Sequence, residues 1–202
     1  MNAEAKILEF WYEFASTYSY LSAMRIEKLA KQRHVKIIYK PFLLGPIFRE
    51  QGWNDSPFNI YPAKGKYMWK DLERKCQKYG IPLRRPSQFP RNGLLAARIA
   101  LLGNRQDWGP EFSRQVYHAE FAKDLNIGDS SVLRGILKEI GRDPEEVLEA
   151  AQSEEIKTSL KVQTERAKTL GIFGAPSFIV KDELFWGDDR LEDALERATL
   201  PV

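Results

Sequence analysis

The sequence predicts an α/β fold in which one layer of strands and helices is interrupted by an all-helical insertion. Two observations carry this. Runs of β-forming residues lie near both ends, at Ile7 to Phe14, Val35 to Tyr39 and Ser177 to Trp186. From Tyr67 to Leu170, apolar residues instead recur at helical spacing.

Ile7-Leu8-Glu9-Phe10-Trp11-Tyr12-Glu13-Phe14 reads as a buried strand. Ala15-Ser16-Thr17-Tyr18-Ser19 is hydroxyl-rich and suited to capping a helix. Tyr20, Leu21, Met24, Ile26 and Leu29 then predict one helix to about Gln32. Val35 to Tyr39 is a second strand, closed by Lys40-Pro41. Strand, helix and strand form a βαβ unit, expected parallel with a right-handed crossover.

The middle reads as helices over Tyr67 to Tyr79, Asn92 to Leu102, Trp108 to Lys123, Ser130 to Ile140, Pro144 to Gln152 and Glu154 to Leu170. Asp143-Pro144 and Ser153-Glu154 are start signals. Gly80-Ile81-Pro82, Gly103-Asn104 and Gly141 are stop signals. At the far end, Ser177 to Val180 and Leu184 to Trp186 form a hairpin about Lys181-Asp182-Glu183. A last helix opens at Asp188 and runs to about Ala198, with Asp189 and Glu192 at capping-box spacing.

The 202 residues suit one domain, or one core with a large insertion. Hydrophobic residues at 43% and charged residues at 29% exclude a disordered tail or a disulfide miniprotein. A single cysteine, Cys76, excludes an internal disulfide, a C-x-x-C pair and a zinc site built of cysteines. The 31 basic and 28 acidic residues leave +3, which favours anionic ligands without marking a nucleic-acid binder. No apolar run approaches the roughly 20 residues of a membrane span. Met1-Asn2-Ala3-Glu4-Ala5-Lys6 lacks the apolar stretch of a signal peptide, so the expected setting is the reduced cytoplasm.

Three places could carry chemistry. Phe14 to Leu21 joins the first strand to the first helix, where parallel α/β sheets usually bind ligands. A helix start there favours an anion such as a thiolate, and Ser16 could donate to it. Equally, Ser16 or Ser19 could serve only as an N-cap. Gly174-Ala175-Pro176 precedes a strand. Local sequence favours a trans proline, since about 5–6% of such bonds are cis. A cis bond would leave the N–H and C=O of Ala175 open to an extended peptide-like ligand. In Trp186-Gly187-Asp188-Asp189-Arg190, the carboxylates could hold an ammonium group or merely cap a helix.

Other candidates fall away. His34 and His118 are the only histidines and have no metal-binding spacing, so no metal is expected. They read as surface or partly buried residues. No phosphate loop follows the first strand. Cys76 reads as a small packing residue in a helix. The aromatics before Tyr67 lie in a Pro/Gly/Asn-rich segment of the kind that forms binding loops.

Five stretches together carry a resemblance. They are Phe14-x-Ser16-x-Tyr18-Ser19-Tyr20-Leu21, Lys64-Gly65-Lys66-Tyr67-Met68, Tyr79-Gly80-Ile81-Pro82, Phe173-Gly174-Ala175-Pro176-Ser177-Phe178 and Phe185-Trp186-Gly187-Asp188-Asp189-Arg190-Leu191. In this order the chain resembles the 2-hydroxychromene-2-carboxylate isomerases, which belong with the kappa-class glutathione transferases and the DsbA-like disulfide oxidoreductases. The resemblance implies a thioredoxin-like core, made of 1–50 and 171–202, around a helical insertion, 51–170, whose last helix rejoins the core. It implies a cis Pro176, a homodimer, and glutathione as thiol cofactor with Ser16 as the catalytic serine. Ala175 would then pair with the cysteinyl unit. Trp186, Gly187, Asp188 and Asp189 would hold the γ-glutamyl end, and Asn54 and Lys64 would lie near the ligand. The oxidoreductases carry C-x-x-C where this chain has Ser16-Thr17-Tyr18-Ser19, so dithiol exchange has no sulfur here.

The resemblance implies an isomerase of aromatic catabolism, acting by reversible addition of the glutathione thiolate. Its alternatives are a kappa-like transferase or peroxidase for other electrophiles and a non-catalytic glutathione- or peptide-binding module. The chain departs from the family at Thr17, where proline is common, and at Glu13, where aspartate is frequent. Phe42 to Phe48 offers no lysine for a substrate carboxylate.

Overall fold

A computed structural model describes residues 6–200. Four strands form one mixed sheet: β1 (Ile7–Tyr12), β2 (Lys36–Pro41), β3 (Ser177–Val180) and β4 (Glu183–Trp186), in the order β2-β1-β3-β4. β1 and β2 are parallel, as the βαβ reading expects. β3 runs antiparallel to β1, and β4 antiparallel to β3, giving the expected hairpin.

β1 is buried on both faces. Leu8, Phe10 and Tyr12 point to one side, where Phe10 stacks on Phe178 at 5.6 Å. Trp11 points to the other, against Phe42, Ile47, Ala167, Ile172 and Ile179. Alternate side chains of a strand take opposite faces, so a strand covered on both reads as a continuous apolar run. The expected strand to Phe14 ends earlier. Glu13 and Phe14 leave the sheet in a turn where the Glu13 carbonyl accepts from Ser16 N–H at 3.0 Å.

The single first helix of the sequence reading is two: α1 (Thr17–Ala23) and α2 (Ile26–Arg33). They part at Met24-Arg25, where Arg25 turns to Asp188 and Glu192 and lies 3.7 Å over the Tyr79 ring. The segment expected as loop contains α3 (Leu44–Glu50) and α4 (Pro57–Ile60). The next helix, α5 (Pro62–Tyr79), starts earlier than the expected Tyr67, because Pro62 opens its first turn. The others follow expectation closely: α6 (Leu94–Asn104), α7 (Gly109–Phe121), α8 (Ser130–Glu139), α9 (Pro144–Ala151) and α10 (Glu154–Thr169). Asp143 and Ser153 cap α9 and α10 as their start signals predict.

The capping box expected at Asp189 and Glu192 does not form. A 3-10 turn over Asp188–Arg190 leads into α11 (Leu191–Thr199), whose cap residue is Arg190 with no side-chain cap bond. Glu192 pairs with Arg25 and Asp189 with Arg190, so each carboxylate is drawn to a guanidinium instead of to free helix N–H groups.

The sheet register gathers the loops. Ser177 lies opposite Trp11 on one side and Trp186 on the other. The turn after β1, the approach to β3 and the exit from β4 therefore meet at one end of the sheet.

Candidate active site

At that end lies a cavity of about 1380 Å³. Ser16, Asn54, Lys64, Ala175, Trp186, Gly187, Asp188 and Asp189 all line it. Pro176 is buried and is not among the lining residues; a cis bond joins it to Ala175, as the resemblance implies, and the trans turn favoured by local sequence is not formed.

Ser16 fills both roles open to it. Its Oγ accepts from Ser19 N–H at 3.1 Å, capping α1, and donates to the Ala175 carbonyl at 2.9 Å. The carbonyl expected free is thus occupied, though its second lone pair remains. The Ala175 N–H meets no acceptor among the described residues. Because α1 has only seven residues, the hydroxyl is the chief group able to hold an anion here.

The acidic pair divides. Asp188 is 1% exposed, and its Oδ1 accepts from Ser22 at 3.0 Å and Arg25 at 3.1 Å. Lys75 Nζ stands 3.5 Å from Oδ2. Burial pushes the Asp188 carboxyl up, while Arg25, Lys75 and Ser22 pull it down. Asp189 is exposed at the cavity rim and shares its carboxylate with Arg190 at 3.1 Å. Trp186, 52% exposed, leans on Phe173 with ring centres 4.8 Å apart. Asn54 and Lys64 are exposed and line the cavity together with residues of α3, α4 and the first turn of α5.

A peptide-like thiol fits this arrangement. Ala175 lines the cavity with its N–H unpaired among the described residues, which suits an extended backbone pairing there. Asp189 and Lys64 both line the cavity and are exposed, a charge pair complementary to a ligand that carries an ammonium and a carboxylate.

Trp53 and Phe58 line the cavity, as their place in the expected binding-loop segment allows, whereas Leu43, Leu44, Phe48, Phe89 and Arg49 had no such signal. Leu43, Leu44, Phe48, Trp53, Phe58 and Phe89 make an apolar wall, with Arg49 at its edge. Glu13 also lines the cavity, and burial pushes its carboxyl up to about 7. Only its place three residues before Ser16 marked it. Arg91 is 6% exposed but is held by the Leu125 carbonyl at 2.8 Å and by Asp124. His34 is exposed and His118 half-buried. Cys76 is buried in α5, and burial pushes its thiol up to about 12.

The DSBA-like thioredoxin domain family matches residues 7–198. The chain belongs to this family. Within it, a 2-hydroxychromene-2-carboxylate isomerase from Sphingobium xenophagum is 32% identical, over 93% of this chain and 95% of the relative. A glutathione S-transferase kappa 2 from Caenorhabditis elegans is 28% identical, over 92% and 88%. A solved 2-hydroxychromene-2-carboxylate isomerase superposes with a TM-score of 0.85 at 27% identity, over 95% of both chains. The DsbA-like thioredoxin fold follows, and the relatives, isomerases and glutathione transferases, support an enzyme. Among the described residues no helix is long and apolar enough to cross a membrane.

Proposed function

We propose that the chain is a glutathione-dependent isomerase of the 2-hydroxychromene-2-carboxylate type. One observation carries this reading: the Ser16 hydroxyl, 2.9 Å from the Ala175 carbonyl, sits in a cavity that also holds Trp186, Asp189 and Lys64. Identity to the isomerases over nearly the whole chain supports it.

When bound, glutathione would supply a thiolate that adds reversibly to the substrate's conjugated double bond, leaving a single bond free to rotate. Ser16, whose hydroxyl proton now goes to the Ala175 carbonyl, would donate it to the sulfur anion. The backbone C=O and N–H of Ala175 would hold the cysteinyl unit of the cofactor. Asp189, with Trp186 and Gly187 beside it, would hold the α-ammonium; Asp188 fixes this turn through Arg25 and Ser22. Lys64 would hold the glycyl carboxylate, and Asn54 would donate nearby. The apolar wall from Leu43 to Phe58 and Phe89 covers the aromatic ring and excludes water. A thiol of pKa ~8.5 is mostly protonated at neutral pH, so a hydroxyl donor raises its anionic fraction.

The test is isomerisation of 2-hydroxychromene-2-carboxylate by pure protein, with and without glutathione. A rate that rises from background with glutathione is expected; a rate indifferent to it refutes the reading. The kappa-class relatives favour a second reading, transfer of glutathione to other electrophiles, which conjugation of an aryl halide would reveal. The same proposal places the protein in the reduced cytoplasm as a homodimer, which light scattering checks.

A further inference from the structure

The cavity wall holds a carboxyl group without a part in the mechanism above. Glu13 follows β1, and its Oε1 accepts from Ala15 N–H at 3.2 Å. Its carbonyl accepts from Ser16 N–H at 3.0 Å and from Tyr117 O–H at 2.9 Å, which fixes the residue in place. Gly93 leaves the space beside it open: a Cβ there would stand 3.1 Å from Glu13 Oε1 and 3.0 Å from Phe14 Cβ.

The groups around Glu13 come from three sides. On α7, Glu120 is 0% exposed and neither of its carboxyl oxygens has a hydrogen-bond partner among the described residues. An ionised carboxylate is not stable in such a place, so Glu120 is held neutral. Burial, with Glu13 nearby, pushes it well above the usual range. Tyr117 of α7 and Tyr12 of β1 are pushed up by burial and stay neutral. Arg91, before α6, is turned to Asp124 and Leu125. Glu13 alone among these lines the cavity, beside Arg91, and has a carboxyl to exchange.

We propose that Glu13 is the acid–base group of this site, a carboxyl that lends its proton to the substrate oxygen on which charge collects and then takes it back. This rests on the thiol-addition reading. As the conjugated double bond is attacked and the carbon–sulfur bond forms, an electron pair moves to the substrate's carbonyl oxygen. Glu13 gives its proton to that oxygen and becomes a carboxylate. When the pair returns and the carbon–sulfur bond breaks, the same proton goes back to Glu13. No proton is consumed and no redox partner is needed. Burial, which sets the carboxyl near 7, suits it to both directions of transfer at neutral pH.

The experiment pairs two readouts. One is a carboxyl 13C NMR titration of glutamate-labelled protein, with Glu13→Gln identifying the signal. The other is kcat/KM at saturating glutathione from about pH 5 to about pH 9. The expected signal titrates near 7, and kcat/KM falls as pH rises through that value. Glu13→Gln should lose roughly 10²-fold or more of kcat/KM, together with the falling limb, while tryptophan fluorescence still reports glutathione binding. Glu13→Asp should recover part of the rate, its limb following that variant's own carboxyl titration. A Glu13 signal in the ordinary carboxyl range overturns the proposal, as does a variant with the wild-type profile. If the wild-type rate ignores glutathione, the thiol reading falls instead. The variant profile still decides for Glu13: a lost limb supports it and an unchanged limb overturns it.

Discussion

Ser16 divides its hydroxyl between two backbones: Oγ accepts from Ser19 and donates to Ala175. Turning the proton to a sulfur anion leaves the cap bond intact. A hydrogen bond to a charged partner is worth ~1.5–3 kcal/mol, so Ser16→Ala should lose roughly 10- to 100-fold in glutathione-dependent rate. Steady-state kinetics reads this directly. Glu13 predicts a stability effect of definite sign. Its folded carboxyl lies near 7 against an ordinary 4.5, so between these values the folded chain keeps a proton that the unfolded chain has lost. Stability then falls as pH rises through that window. Glu13→Gln, neutral throughout, should therefore gain in Tm relative to wild type on going from about pH 4.5 to about pH 8, in paired thermal melts.

Arg25 joins four elements. It follows the cap of α1, starts α2, pairs with Asp188 after β4 and covers Tyr79 at the end of α5. Removing one partner of a buried pair costs ~3–5 kcal/mol, and Lys75 stays near Asp188, so Arg25→Ala belongs at the low end. At ~2–4 °C per kcal/mol, Tm should fall by roughly 6–12 °C in calorimetry. The same residue shows what the sequence could not tell. The break in the first helix depends on a carboxylate 163 positions away, which no local pattern announces. By contrast, α9 and α10 were legible because Asp143 and Ser153 cap them from the adjoining residue. The helix α3 was hidden by Gly45-Pro46 in its first turn, a pair that usually signals a loop. The site was legible at Ser16, Ala175 and Asp189 through motif order, but not at Glu13, whose neighbours Glu120 and Arg91 are brought in by folding alone. Beside these, Gly174 supports Trp186 by absence: a Cβ there would lie 2.4 Å from the indole Nε1. Gly174→Ala should displace the ring and weaken glutathione binding several-fold, as calorimetric titration would show.

Across the whole molecule, sulfur chemistry is confined. Cys76 is 2% exposed, with its thiol pushed up to about 12. Only the thiolate is nucleophilic, so a thiol-specific reagent should label native protein very slowly and denatured protein at once. Fast native labelling would contradict the burial. The cavity is made from both ends of the chain, since Ser16 and Ala175 are 159 positions apart. A small molecule that touches both binds only the folded chain, and unfolding must first expel it. The two ends then act as a clasp: each tenfold rise in ligand above its Kd should add about 1.4 kcal/mol to the resistance against heat. A dose-dependent melting shift would thus find the ligand even where its chemistry is silent.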